Sequence, residues 1–182
     1  MQVHYVHETI GRLPVISKVY PKIFEAPLIV PKSVYRGEQL TTSTVVSPNM
    51  CWENIFMVEV VRSCPEMCRF CLASYMTLPF RAPSSRGSLI PAIERGLEFT
   101  SRLGLLGASV TQHPEFEDLL DFVAQEQYDH VRMSVSSVRA STVSPKLCRT
   151  LHNRGSRSLT VRVRLEKRSL SFQPVTTFSF LI

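Results

Sequence analysis

Three cysteines within eight residues, Cys64, Cys68 and Cys71, restrict this chain more than any other feature. Their spacing is C-x3-C-x2-C, Phe70 stands just before the third, and the apolar run Val58-Glu59-Val60-Val61 leads into them. A strand that delivers three thiols to one loop makes a metal-binding loop. The number of thiols matters. A closed structural zinc site needs four ligands, so zinc would require a distant fourth, such as His113 or Cys51. A [4Fe-4S] cubane held by three cysteines instead keeps one iron open for another ligand. Both readings stand on the residues alone.

The loop sits in a chain long enough for one domain with a real core: 182 residues, 44% hydrophobic and 20% charged. No apolar run approaches the roughly 20 residues of a membrane span. The N-terminus lacks the basic start and apolar core of a signal peptide. Five cysteines are an odd count, and three of them share one loop. That suits metal ligation in a reducing intracellular compartment, cytoplasm or plastid, better than a disulfide framework. Cys148, between Leu147 and Leu151, reads as a core residue. The net charge of +6 is local. Residues 149–168 carry seven Lys or Arg, Arg154 among them, against Glu166 alone. The excess is a tail feature rather than a groove patterned for phosphates, which argues against nucleic acid.

From Phe56 onward the pattern alternates. Phe56–Val61 is nearly continuously apolar, as a buried parallel strand should be. Ser88 offers an N-cap, with Pro91 in the first turn, Leu89, Ile93 and Leu97 on one face, and Gly104 as the stop. Leu105–Val110 reads as the second strand. Pro114 opens a helix striped by Phe116, Leu119, Leu120 and Val123. His130–Val138 reads as a third strand. Ser144-Pro145 starts a third helix that closes near Gly155, and Ser158–Val163 reads as a fourth strand. The order β-α-β-α-β-α-β implies an α/β fold with a parallel sheet. Residues 1–55 read as an irregular lead-in broken by five prolines, with short candidate strands at 26–31 and 40–46. Residues 56–163 form the core and residues 164–182 a divergent basic and apolar tail.

The cysteine spacing, the aromatic before the last cysteine and the preceding strand together resemble the radical S-adenosylmethionine (SAM) superfamily. The resemblance covers about residues 55–160 and is nearest to the cobalamin-associated branch, especially its plant-like members. It implies a partial (β/α)6-type barrel, here about four β/α units, with the cluster loop after the first strand. It also implies that Cys64, Cys68 and Cys71 hold a [4Fe-4S] cluster whose open iron takes the amino and carboxylate groups of SAM. An electron from a donor such as flavodoxin or ferredoxin would then cleave SAM to a 5′-deoxyadenosyl radical that acts on an unknown substrate.

Further residues follow from the same resemblance. Phe70 would pack near the adenine, although loop packing alone would explain it equally. The run GASVTQHPEFEDLL aligns with the family's Gly-Gly-Glu-Pro region, so Gly107, Ala108 and Ser109 would present backbone to the SAM amino group. Ser109 stands where the family has glutamate and Val110 where it has proline; backbone contact survives that change, a carboxylate contact does not. An ordinary strand end would look the same. The run SVSSVRASTVSPKL resembles the Ser-Leu-Arg stretch of cobalamin-associated members. It places Ser136, Ser137 and Arg139 at the barrel mouth, with Arg139 gripping a carboxylate or phosphate, unless it is simply a solvent-exposed loop arginine.

Two parts of the family pattern are missing. A cobalamin-binding domain would need far more than 55 upstream residues, so cobalamin enters only through a domain absent from this chain. After about Val161 the family continues into an acidic Glu-x-Gly-Ser-Glu type segment, whereas this chain turns arginine-rich. The expectation is a chain that leaves the family frame near Val161 and ends as a fragment with an open sheet edge. The rival to an enzyme is a small zinc-binding or interaction protein that uses the same three cysteines.

Overall fold

β1 (Val3–Ile10) and β2 (Leu13–Pro21), rich in β-branched and aromatic residues, flank Gly11-Arg12 and pair as an antiparallel hairpin. Gly11 takes φ +65°, the first loop position of a type II′ turn. A computed structural model gives this fold; it describes residues 3–21, 33–69, 71–163 and 176–181. The hairpin replaces the irregular lead-in expected over this stretch. Pro14 and Pro21 do not break it, because in a two-stranded ribbon alternate N–H groups point away from the partner and none is needed there. The chain divides into two units, residues 1–35 and 36–182, so the break falls inside the expected 1–55 segment. The candidate strand at 26–31 lies outside the described residues.

In the second unit, β3 (Ile55–Glu59), β4 (Arg102–Leu106) and β5 (Arg132–Val135) form a parallel sheet in that order. The register runs from Ile55 opposite Arg102 to Glu59 opposite Leu106, and from Arg102 opposite Arg132 to Leu105 opposite Val135. The ladder extends past β3, where the Val60 N–H donates to the Leu106 carbonyl at 2.8 Å. The free edge of β3 is covered by residues 41–43: the Ser43 N–H donates to Met57 O and the Glu59 N–H to Thr41 O, each at 2.9 Å. Only this bridge at Thr42 remains of the strand expected over 40–46.

The second and third strands differ from expectation. β4 begins three residues earlier than the expected Leu105, and Gly104 lies inside it rather than closing a helix. The expected third strand is split by Ser136-Ser137 into β5 and β6 (Val138–Arg139). β6 pairs in parallel with β7 (Ser158–Val163), and β7 pairs antiparallel with β8 (Thr176–Leu181). The tail, expected to add neither helix nor strand, therefore supplies one. TTFSFL is rich in the β-branched and aromatic residues that strands favour. The edge of β7 expected to be open is paired. Three small sheets result, and among the described residues they do not close into a barrel.

The described residues include four α-helices, α1 (Leu72–Met76), α2 (Ile90–Leu97), α3 (Phe116–Val123) and α4 (Pro145–Asn153), besides shorter one-turn helices. The cap that starts the second is Ser84, not Ser88: its hydroxyl accepts from the Gly87 N–H at 3.2 Å and opens a π-type turn, Ser85–Leu89, that runs into α2. Pro91 sits in the first turn as expected. α2 packs on β3 through Gly96, where a Cβ would stand 2.1 Å from the Phe56 ring. Phe116, Leu119, Leu120 and Val123 are all buried, as the stripe predicts. α4 begins as read, with the Ser144 hydroxyl accepting from the Leu147 N–H at 3.1 Å. It closes in a Schellman motif, with Gly155 at φ +71° and the Ser156 N–H donating to Leu151 O at 2.9 Å. Among the described residues no helix is long and apolar enough to cross a membrane.

Arg154, counted above with the basic tail, is a core residue at 4% exposure. Its guanidinium caps the C-terminal end of α3: Nε donates to Val123 O at 2.9 Å, Nη2 to Gln125 O at 3.1 Å, and Nη1 to Asp129 Oδ1 at 2.7 Å. Orphan carbonyls at a helix end need such donors. Arg154→Ala removes two carbonyl partners and buried packing while Asp129 remains solvated. It is expected to cost about 3 kcal/mol, read as a lowered midpoint in urea. Arg154→Lys recovers only part of this, since an ammonium does not reproduce the fork. Arg149→Ala, an exposed arginine on the same helix, changes stability by no more than about 0.5 kcal/mol.

Candidate metal centre

The cysteine loop begins at Cys64, four residues past Val60, which makes the last β3–β4 ladder bond. Val60 and Val61 are buried and Ser63 turns the chain at φ +69°, an unusual left-handed conformation for serine. The buried Ser63 hydroxyl donates to the Ser74 carbonyl at 2.9 Å, which pins the start of the loop to α1. Met67 takes a second left-handed conformation, φ +46°, and its carbonyl accepts from the Tyr75 hydroxyl at 3.0 Å. The Cys71 N–H donates to Cys68 O at 2.9 Å. These bonds fold eight residues into a tight excursion held against a single short helix. Phe70 lies outside the described residues.

None of the three loop thiols is in a disulfide, and all three are half-buried. Burial pushes the Cys64 thiol above its ordinary value, and the negative charges of Cys68, Glu66 and Cys71 act in the same direction against a backbone hydrogen bond at Glu66. The Cys64 thiol meets Gln112 Oε1 at 3.6 Å. Cys71 Sγ accepts from the Ser74 hydroxyl at 3.3 Å, the kind of second-layer hydrogen bond that stabilises a metal thiolate.

The donor set fits an iron–sulfur cubane, which takes thiolates and assigns each to its own iron. Around such a cluster the sulfurs would stand apart, one to each of three irons, rather than converge on one ion. A single zinc ion asks for four ligands at one point. Among the described residues no three His, Cys, Asp or Glu side chains, these cysteines included, are gathered closely enough to hold a single metal ion. His113, a candidate fourth ligand, is committed elsewhere. Its Nδ1 accepts from the Glu115 N–H at 3.0 Å, which leaves Nε2 to donate to Pro83 O at 2.7 Å. It is buried and fastens the 81–84 segment to the start of α3. Cys51 is exposed, and Cys148 is half-buried rather than fully in the core.

Beside the loop lies a cleft of about 590 Å³. Met57, Glu59 and Val61 line it from the face of β3 opposite Phe56; Leu106, Gly107 and Ala108 line it from the end of β4; Ser63 and Ala73 come from the loop and α1. Two of the three residues expected to face a ligand, Gly107 and Ala108, therefore lie on its wall. Gly107 has a reason of its own: a Cβ there would stand 2.5 Å from Val61 Cγ2 and 2.9 Å from the Val61 carbonyl oxygen. Ser109 is buried, its carbonyl accepting from the Gln112 N–H at 3.1 Å. At the rim Arg62 forks onto Glu59, with Nε–Oε1 at 2.7 Å, and reaches Thr41 Oγ1 at 2.8 Å. Burial would raise the Glu59 carboxyl, but the hydrogen bonds from Arg62 and Thr41 hold it below its ordinary value.

Of the third-strand candidates, the Ser136 hydroxyl donates to Gly107 O at 2.9 Å and ties the break after β5 to the end of β4. Ser137 is half-buried. Arg139 does not stand open as a grip for a carboxylate or phosphate: its Nη1 pairs with the Glu66 carboxylate of the cysteine loop. Glu66 also accepts from Gln112 Nε2 at 2.7 Å. Sequence reasoning missed Glu66 and Gln112. The available signal was Glu66 itself, a carboxylate among three thiols, which calls for a nearby cation. No family model, curated protein or solved structure matches the chain.

Proposed function

We propose that this chain is a radical SAM-type iron–sulfur protein, built on a partial (β/α) wall. Cys64, Cys68 and Cys71 hold a [4Fe-4S] cluster, and SAM is the molecule that meets its open iron. The observation that carries the reading is one loop presenting three thiols just past the C-terminal end of the first parallel strand, beside a cleft walled by Gly107 and Ala108. Catalytic sites of β/α folds gather at that end of the strands. When bound, the cluster supplies the electron for reductive cleavage of SAM, and the radical formed acts on a substrate.

This chain's own residues bind and orient. The three thiolates fix the cluster, and the Ser74 hydroxyl donates to the Cys71 sulfur. Gly107 lets the β4 terminus come close to Val61 and keeps its backbone at the cleft. Glu59 and Arg62 pair at the rim, and the exposed wall of the cleft is largely apolar. A single-electron protein donor such as a flavodoxin or ferredoxin is the partner this chemistry needs.

Anaerobic reconstitution with iron and sulfide tests the reading. The expected product is brown, with about four irons and four sulfides per chain. Colourless protein that retains zinc through the same three cysteines would replace it with the non-enzymatic zinc-binding reading.

A further inference from the structure

Glu66 lies between two of the predicted ligands, and its side chain is only 22% exposed. Two donors converge on its Oε1. One is Gln112 Nε2, from the one-turn helix Val110–Gln112 that follows β4. The other is Arg139 Nη1, at the end of β6. Gln112 in turn touches the Cys64 thiol. One polar chain therefore links the cysteine loop to the ends of two strands that lie 46 and 73 residues away along the sequence. Exposed ion pairs contribute little. This one is part-buried, charge-assisted and shared with an amide, the conditions under which such bonds are strong and directional.

We propose that Glu66 is a positioning residue that docks the cysteine loop onto the ends of β4 and β6 through Gln112 and Arg139, and so sets where the thiols stand relative to the cleft. α1 holds the loop at its start through Ser63 and again at Met67, whose carbonyl accepts from Tyr75; the Glu66 bonds hold it between those two points, on the side facing Gln112 and Arg139. Arg139 is thereby an internal partner of the loop. It cancels the carboxylate charge that would otherwise add to three thiolates. The role in cluster placement rests on the iron–sulfur reading; the docking of the loop does not.

The test is hydrogen–deuterium exchange of the full-length apoprotein, followed in the 64–71 peptide, for wild type, Glu66→Ala, Arg139→Ala and the swap Glu66→Arg with Arg139→Glu. Each single change is expected to speed exchange in that peptide about tenfold, the swap to restore most of the protection, and the α3 peptide 116–123 to stay as in wild type. Wild-type exchange in the single variants overturns the proposal. So does a swap as loose as the singles, or loosening that spreads equally to α3, since that is a general stability effect. After reconstitution, the same variants should lose iron to a chelator about tenfold faster, again restored by the swap. If wild type takes up no cluster, the iron–sulfur reading fails, while the apoprotein exchange still decides the docking.

Discussion

Replacing any one of Cys64, Cys68 and Cys71 by Ala should abolish cluster uptake, bringing iron and sulfide after anaerobic reconstitution down to background. In the proposed cluster each residue would supply one of three protein bonds, so losing one removes a third of them. His113 cannot step in, because both ring nitrogens are engaged, with Pro83 and Glu115. Loss of one thiolate also leaves one more iron open to solvent. The controls lie in the same chain. Cys51 is exposed and Cys148 sits half-buried on α4, so Cys51→Ala and Cys148→Ala should leave iron content unchanged. Equal losses at all five positions would mean adventitious iron on free thiols and would remove the ligand assignment. Loss at the three positions together with tight zinc in the wild type would move the same residues to a zinc site.

The sequence carries local signals well and distant partnerships poorly, and particular residues show why. The β3 run was legible because four apolar residues in succession can only be buried. The α3 stripe and the Ser144 cap were legible because each is decided within one or two turns. The β1–β2 hairpin was not, because Pro14 and Pro21 read as breakers unless the ribbon is known to have only two strands. Gly104 looked like a helix stop, yet it serves β4, where a Cβ would press on Ile55 at 3.2 Å. Arg154 was summed into a basic tail, but its charge is used 25 to 31 residues away on the end of α3. Net charge is blind to that use. At the cysteine loop the spacing of the thiols marks candidate ligands within one short run, while Glu66, Gln112 and Arg139 acquire meaning only through one another. Nothing in a linear pattern pairs a loop carboxylate with an arginine 73 residues on.

The 182-residue chain is expected to bind the cluster and yet form 5′-deoxyadenosine from SAM only slowly under dithionite. SAM needs more than an open iron, because its adenosine and methionine parts must be held by the walls of the cleft. β3 and β4 supply one wall through Met57, Gly107 and Ala108. Farther along, the parallel order ends at β7, because β8 pairs with it in the opposite direction from Ser158–Leu181 to Val163–Thr176. That antiparallel strand takes the hydrogen-bonding edge that a next parallel strand would need, and with it the position from which polar SAM contacts would come. Poorly held reactants typically lose on the order of 100-fold in rate. A chimaera in which residues 162–182 give way to a parallel β/α unit of a cobalamin-associated radical SAM protein should regain that factor. The comparison is 5′-deoxyadenosine formed per cluster, so that differences in iron loading cancel. Turnover by the unaltered chain equal to that of the chimaera would mean that the β7–β8 pair itself completes the SAM site.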